Sequence, residues 1–246
     1  MNILVSNDDG FFAPGLKSLV GEMEKIGSVT VVAPNKDHSG ASNSLTLDRP
    51  LIVHKHSSNQ YSVNGTPTDC VHLAITGLLE NPPDLVVSGI NNGANMGEDT
   101  IYSGTVAAAM EGFLLGVPSV AFSLTSKTQK HFASAAEIAR ITVKRLFDQN
   151  RRQPYLLNVN IPSVNINSIS GSLITRLGRR HKAQGVVKSE NPRGQVVYWI
   201  GAAGDVKDNS VGTDFDAVEK NFVSITPLKI DLTDTDSNGA FNFLAN

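Results

Sequence analysis

Apolar positions along this chain fall into two alternating textures as far as about residue 162: short continuous apolar runs, and longer segments whose apolar residues recur three and four positions apart. Ile3 to Ser6 reads as a buried strand, and Leu16, Leu19, Val20, Met23 and Ile26 then mark one face of a helix. Pro14 suits the first turn of that helix and Gly27 its end. Val29 to Ala33 is a second run, closed by Pro34, and the polar loop Asn35 to Ser44 is too long for a tight turn. GTPTDCVHLAITGLL, from Gly65, announces a helix: Thr66 is a natural N-cap, Pro67 suits the first helical position, and the Asp69 carboxylate complements the helix dipole. The alternation continues with DLVVSGIN from Asp84, a helix SGTVAAAMEGFLLG from Ser103, the run VPSVAFSL from Val117, a helix from about Phe132 to Phe147, and YLLNVNIP from Tyr155. Strands that are apolar throughout and separated by helices predict an α/β fold, a mostly parallel sheet with helices on both faces.

Beyond Pro162 the pattern changes. Val186 to Ile200 alternates and turns at Asn191-Pro192-Arg193-Gly194, as a β-hairpin does, and FVSITPL supplies another strand before a polar C-terminal tail. With no repeat and no low-complexity linker, residues 1–246 read as a single domain, with a core of about 1–162 and an extension of about 163–246. A two-stranded hairpin is marginal alone, so its alternating apolar residues, Tyr198 and Trp199 among them, predict burial against a second subunit.

Composition removes several classes of function. A formal net charge of −2 over 246 residues gives no basic excess for a nucleic-acid binder. The N-terminus lacks the basic start and apolar stretch of a signal peptide, and no run reaches the roughly 20 apolar residues of a membrane span. Cys70 is the only cysteine and lies in an apolar helical pattern, where cysteine serves as a small buried hydrophobe. The expectation is a cytoplasmic protein.

The candidate chemistry lies where strands end, because ligands of an open parallel sheet collect at its carboxyl edge. The first strand ends in Asn7-Asp8-Asp9-Gly10, the second feeds the loop with His38, Ser39 and Asn43, and the later runs end at Asn91 and Ser123. Adjacent aspartates repel, and a divalent cation offsets that repulsion. Two carboxylates, a hydroxyl and an amide carbonyl are hard oxygen ligands suited to Mg²⁺ or Mn²⁺. Neighbouring strand residues point to opposite faces, so both carboxylates reach one ion only where the backbone turns, a freedom Gly10 supplies. Ser103-Gly104-Thr105 opens an alanine-rich helix whose free N–H groups make a ready anion site, which beside a cation suits a phosphate. His54 and His56 have no further ligand at zinc spacing, and Arg176, Arg179, Arg180, His181 and Lys182 read as a solvated basic face. There is no Gly-x-Ser-x-Gly elbow, no Walker loop and no Gly-x-Gly-x-x-Gly fingerprint after the first strand.

Taken in order, NILVSNDDG, APGL, VVAP followed by SGASNSLT, GTPTDC, SGINNGANMGEDTIYSGTVAAAMEG, NVNIP, NPRGQVVYWIG and VSITPL resemble the SurE survival proteins over nearly the whole chain. The resemblance implies a Rossmann-like α/β core with a C-terminal extension exchanged between subunits of a homodimer or homotetramer. It implies hydrolysis of nucleoside 5′-monophosphates, and of 3′-monophosphates as well. It also implies one divalent metal per subunit on Asp8, Asp9, Ser39 and Asn91, and a phosphate pocket at Asn43, Ser103, Gly104 and Thr105. Asp8 and Asp9 are then the catalytic pair, with either water or an aspartate attacking phosphorus. Two positions depart from the family: many members carry arginine where this chain has His38, and Asn221 replaces a common glycine. Two alternatives stand beside this reading. An aspartyl-phosphate phosphatase places its second acid two residues after the first, where this chain has Gly10; a nucleotide-binding sensor without turnover needs no metal.

Overall fold

The computed structural model describes residues 1–128, 130–149, 153–234 and 242–244, so much of the polar C-terminal tail expected from the sequence lies outside the described residues. Among the described residues, thirteen strands and six α-helices follow one another. The first part runs β1 (Asn2–Ser6), α1 (Pro14–Met23), β2 (Ser28–Pro34), β3 (Val53–Ser57), β4 (Gln60–Val63), α2 (Pro67–Leu73, continued by a π-helical turn at Ala74–Leu78) and β5 (Leu85–Asn92). Next come α3 (Asp99–Tyr102), α4 (Gly104–Leu114), β6 (Ser119–Leu124), α5 (Phe132–Asp148) and β7 (Leu156–Ile161). The remainder is β8 (Gly171–Ile174), β9 (Arg179–Arg180), β10 (Val187–Glu190), β11 (Val196–Trp199), β12 (Val206–Asp208), α6 (Asp214–Glu219) and β13 (Phe222–Pro227), with a short 3₁₀ turn at Ile166–Ser168.

Nine strands form one sheet in the order β3-β4-β2-β1-β5-β6-β7-β13-β8. From β4 to β7 every neighbouring pair is parallel; β3 and β13 run antiparallel to β4 and β7. The all-apolar strands are explained by burial on both faces. Ile3, Val5, Val31, Val87, Phe122 and Val159 pack with Leu16 and Leu19 of α1 and Ala135 and Ala139 of α5. On the other face Leu4, Val32 and Val86 meet Cys70 and Val71 of α2 and Ala108 of α4. Fully burying a side chain of this kind stabilises by about 1.5–3 kcal/mol.

This topology fixes where a ligand can enter. The crossover from β1 through α1 leads to β2 on one side, whereas β5 leads through α4 to β6 on the other, and α1 and α4 cover opposite faces. The carboxyl ends of β1 and β5 are therefore the switch point of the sheet, where a crevice opens. β10 and β11 form a separate antiparallel pair, as do β9 and β12.

Candidate active site

β1 delivers Asp8 and Asp9 to this crevice. Asn7 closes the turn by donating from Nδ2 to the Gly10 carbonyl at 2.9 Å. Gly10 has φ +99°, and a Cβ there would stand 3.1 Å from the Lys36 carbonyl carbon, so the turn needs glycine on both counts. Asp8 is buried, and its Oδ1 accepts a short hydrogen bond from the Thr105 hydroxyl in the first turn of α4. A Cβ on Gly104 would lie 2.7 Å from the Asp8 Cβ, so glycine alone allows α4 to approach the carboxylate this closely. Ser103 caps α4 by accepting from the Val106 N–H at 3.1 Å, which leaves the N–H groups of Gly104 and Thr105 as first-turn donors beside Asp8.

Asp9 lies across the switch point against β5: its Oδ2 accepts from the Asn92 N–H at 3.1 Å. An extra residue in β5 between Ser88 and Asn91 breaks its register with β6 and re-aims the end of the strand. Asn91 donates its Nδ2 to the Gly93 carbonyl at 2.8 Å, and its Oδ1 has no hydrogen bond among the described residues. The Asn92 Oδ1 is buried with no hydrogen-bond partner among the described residues.

Burial pushes the Asp8 carboxyl up to about 6; the Thr105 hydroxyl opposes the shift and the Asp9 charge adds to it. Burial also raises Asp9, against the hydrogen bond from Asn92. Among the described residues neither carboxylate takes part in an ion pair, and no three His, Cys, Asp or Glu side chains gather at a metal-binding spacing. Two carboxylates without a cationic partner, with the unbonded amide oxygen of Asn91 at the end of the adjacent strand, suit one hard divalent cation.

The remaining candidates sit on the Asn35–Ser44 loop, which is tied down at several points. The His38 N–H donates to the Asp8 carbonyl at 2.9 Å, the Ser42 hydroxyl to the Ile101 carbonyl at 2.8 Å, and the Thr66 hydroxyl to the Ser44 carbonyl at 2.6 Å. Ser39 is adjacent to that anchor, yet its hydroxyl donates to Asp37 Oδ1 at 2.7 Å and touches neither Asp8, Asp9 nor Asn91. The Asn43 amide faces the Met110 sulfur at 2.7 Å rather than Ser103 or Thr105. Asp8, Gly104 and Thr105 are thus in direct contact; Ser39 and Asn43 are held nearby by their loop.

Pattern reading missed the platform beneath the loop that follows Asn92. The Asn95 carbonyl accepts from Nδ2 of Asn158 at 2.8 Å and of Asn160 at 3.0 Å, and the Asn160 Oδ1 accepts from the Asn95 N–H at 2.9 Å. Asp214, at the start of α6, accepts from the N–H groups of Gly97 and Gly178, each at 2.8 Å. In the sequence the only hint is the pair of asparagines, Asn158 and Asn160, within the apolar run YLLNVNIP.

The family model described as Survival protein SurE matches residues 3–184. The chain belongs to the SurE family. A protein named 5′-nucleotidase SurE from Nitrosomonas eutropha is 60% identical over 239 residues, 97% of each chain. One of the same name from Methylobacillus flagellatus is 61% identical over 233 residues, 95% of this chain and 94% of its own. The crystal structure of the SurE protein from Aquifex aeolicus superposes with a TM-score of 0.88 at 41% identity, covering 100% of both chains.

Both departures from the SurE pattern have a physical reading. Asn221 takes φ 60°, the left-handed conformation that favours glycine and that asparagine tolerates, at the turn between α6 and β13. His38 is pushed below its ordinary value, first by burial and then by the Lys36 charge, so at neutral pH it adds no fixed positive charge where an arginine would.

Proposed function

We propose that this protein is a phosphomonoesterase that hydrolyses nucleoside 5′-monophosphates to nucleoside and phosphate, with 3′-monophosphates as further substrates. The observation that carries the reading is the buried Asp8 carboxylate, without a cationic partner, bonded to Thr105 at the N-terminus of α4. Family membership and relatives named 5′-nucleotidase SurE at about 60% identity support it.

One divalent cation per subunit, Mg²⁺ or Mn²⁺, would be held by Asp8, Asp9, Asn91 and, after its hydroxyl turns from Asp37, Ser39. Bound there, it would neutralise phosphate oxygens and lower the pKa of a coordinated water. The chain supplies the rest. The Gly104 and Thr105 N–H groups bind phosphate oxygens and complement charge that develops in the transition state. Thr105 holds Asp8 in one rotamer, and the Asn92 N–H does the same for Asp9. Asp9, less buried than Asp8 and with one carboxylate oxygen uncommitted, is the group placed to take a proton from an attacking water.

We also infer a homo-oligomer, dimer or tetramer, built partly through the β10–β11 hairpin. Its strands lie apart from the main sheet and expose Val187, Val196, Tyr198 and Trp199. Among the described residues no helix is long and apolar enough to cross a membrane.

Phosphate release from a panel of nucleotides with Mg²⁺, Mn²⁺ or EDTA tests the reading. Release from nucleoside monophosphates that stops in EDTA is expected; nucleotide binding without release in either metal would overturn it in favour of a sensor.

A further inference from the structure

Gly97 stands six residues after Asn91 and six before Ser103, midway along the segment that joins the end of β5 to the cap of α4. The two ends of this segment meet the two aspartates: the Asn92 N–H donates to Asp9, while Gly104 and Thr105 lie against Asp8. Whatever fixes the middle of the segment therefore bears on where both ends lie.

On the sheet side the anchor is Asn95, whose carbonyl accepts from Asn158 and Asn160 and whose Nδ2 donates to the Ser123 hydroxyl at 2.8 Å. Beyond it the chain has little local support, since α3 begins two residues after Gly97 and has no side-chain cap. The second anchor comes from the C-terminal extension. Asp214 is fully buried and takes part in no ion pair among the described residues. Its Oδ2 accepts from the Gly97 N–H at 2.8 Å, and its Oδ1 from the N–H groups of Gly178 and Phe215 at 2.8 and 2.9 Å. The two oxygens thus tie the segment to the extension.

The fit is close. Gly97 has φ +55°, and a Cβ there would stand 3.0 Å from Phe215 Cε2 and 3.2 Å from the Gly178 carbonyl oxygen. Burial raises the Asp214 carboxyl above its ordinary value even though these N–H groups oppose the shift. An amide cannot take over the task, because asparagine has one acceptor oxygen and would turn its NH₂ donor toward a second N–H donor.

We propose that Asp214 is a positioning residue for the metal centre: by holding Gly97 it sets the segment so that Asn91 and the Asn92 N–H stand in place beside Asp9. The assignment rests on the metal site proposed above.

Thermal melts and phosphate release across a Mn²⁺ titration test it. Asp214→Asn keeps the volume and breaks the bond to Gly97 or to Gly178. The Mn²⁺ concentration that half-saturates the rise in melting temperature is expected to increase about tenfold or more, and that for half-maximal release likewise, as for loss of a partner behind a metal ligand. Gly97→Ala disturbs the same contact from the other side and is expected to act alike; it carries the test alone if Asp214→Asn does not fold. Thr175→Val is the stability control, because its hydroxyl bonds Ser224 and Thr226 at 2.8 and 2.7 Å and neither Gly97 nor Asp214. It is expected to lower the metal-free melting temperature by about 2–4 °C and to move the Mn²⁺ midpoint less than about twofold. Folded Asp214→Asn or Gly97→Ala protein that binds Mn²⁺ as wild type does overturns the positioning role. So does a Thr175→Val midpoint shifted as far as theirs, or failure of both variants to fold, which would make the contact a structural one. Wild type that Mn²⁺ neither stabilises nor activates overturns the metal site itself, and the positioning role falls with it.

Discussion

A buried aspartate with no cationic neighbour is an expensive residue to keep. The Asp8 carboxyl is raised to about 6 by burial, so ionising it at neutral pH opposes folding of the metal-free protein, and the penalty fades as pH falls from about 6 toward the unfolded value of about 3.9. Asp8→Asn removes the charge with little change in volume. Without metal its melting temperature should match or exceed wild type, whereas the rise that Mn²⁺ gives wild type should be lost and turnover should drop by about 100-fold or more. Thermal melts with Mn²⁺ and with EDTA separate these effects; a variant that Mn²⁺ still stabilises as it does wild type removes Asp8 from the metal site. Thr105 and Ser103 divide two tasks at the α4 N-terminus, since Ser103 caps the helix and Thr105 holds the carboxylate. Thr105→Val is expected to slow turnover by about 10- to 100-fold with little change in melting temperature. Ser103→Ala is expected to lose about 1 kcal/mol of stability. A Thr105→Val protein with wild-type kinetics and a lowered melting temperature would reduce that hydroxyl to a structural part.

Short elements show how far a local pattern reaches. The capping box of α2 stands in the sequence GTPTD, and the structure has both halves of it: the Asp69 N–H donates to the Thr66 hydroxyl at 3.0 Å, and the Thr66 N–H to Asp69 Oδ2 at 2.8 Å. Asp69 also accepts from the Thr46 N–H and hydroxyl at 2.8 and 2.6 Å, anchoring the loop that carries Ser39 and Asn43. Burial alone would raise this carboxyl, but the hydrogen bonds from Thr46 and Thr66 outweigh it and hold the pKa below its ordinary value. A depressed carboxylate stabilises above its unfolded pKa of about 3.9, and that contribution is lost as pH falls through the lower folded value. Asp69→Asn should therefore cost about 1–3 kcal/mol at pH 7, and its deficit relative to wild type should shrink below about pH 4. Urea unfolding at several pH values measures this, and a deficit independent of pH would show that lost packing, not charge, is responsible. β1, β2, β5, β6 and β7 were legible because two-sided burial writes a continuous apolar run, whereas β4, also inside the sheet, was not, because QYSV is short and mixes polar with apolar residues. β8, β9 and β12 were not: each has four residues or fewer and buries almost nothing, so no periodicity marks it. Asp8, Asp9 and Asn91 could be read from strand ends. Asn158, Asn160 and Asp214 could not, because their partners lie 63, 65 and 117 residues away and only the folded chain brings them together.

For the whole molecule, the question is what covers the C-terminal hairpin. The Asn191 Oδ1 shapes its turn by accepting from the N–H groups of Arg193 and Gln195, and β10 pairs with β11 from Val187–Trp199 to Glu190–Val196. Both faces remain open: Tyr198 has 64% and Trp199 65% of their surface exposed. A free two-stranded hairpin is barely stable in water, and solvent-exposed aromatics of this size are common anchors of protein interfaces. The inner strands of the main sheet offer it no place, because helices already cover both faces there. The second copy of the chain proposed as its partner would link assembly to the site, since Asp214 and Arg180 of the same extension hold Gly97 and Asp99 in the segment between Asn91 and Ser103. Replacing Val187–Tyr198 by a short Gly-Ser bridge removes the hairpin but leaves those two residues and the Asp8, Asp9, Ser39 and Asn91 set in place. The shortened protein is expected to run as a smaller species, or as monomer, in light scattering at micromolar concentration, while wild type is expected to be at least a dimer. If wild type is itself monomeric at that concentration the oligomer is refuted, and if the shortened protein keeps the wild-type mass the hairpin has no part in assembly.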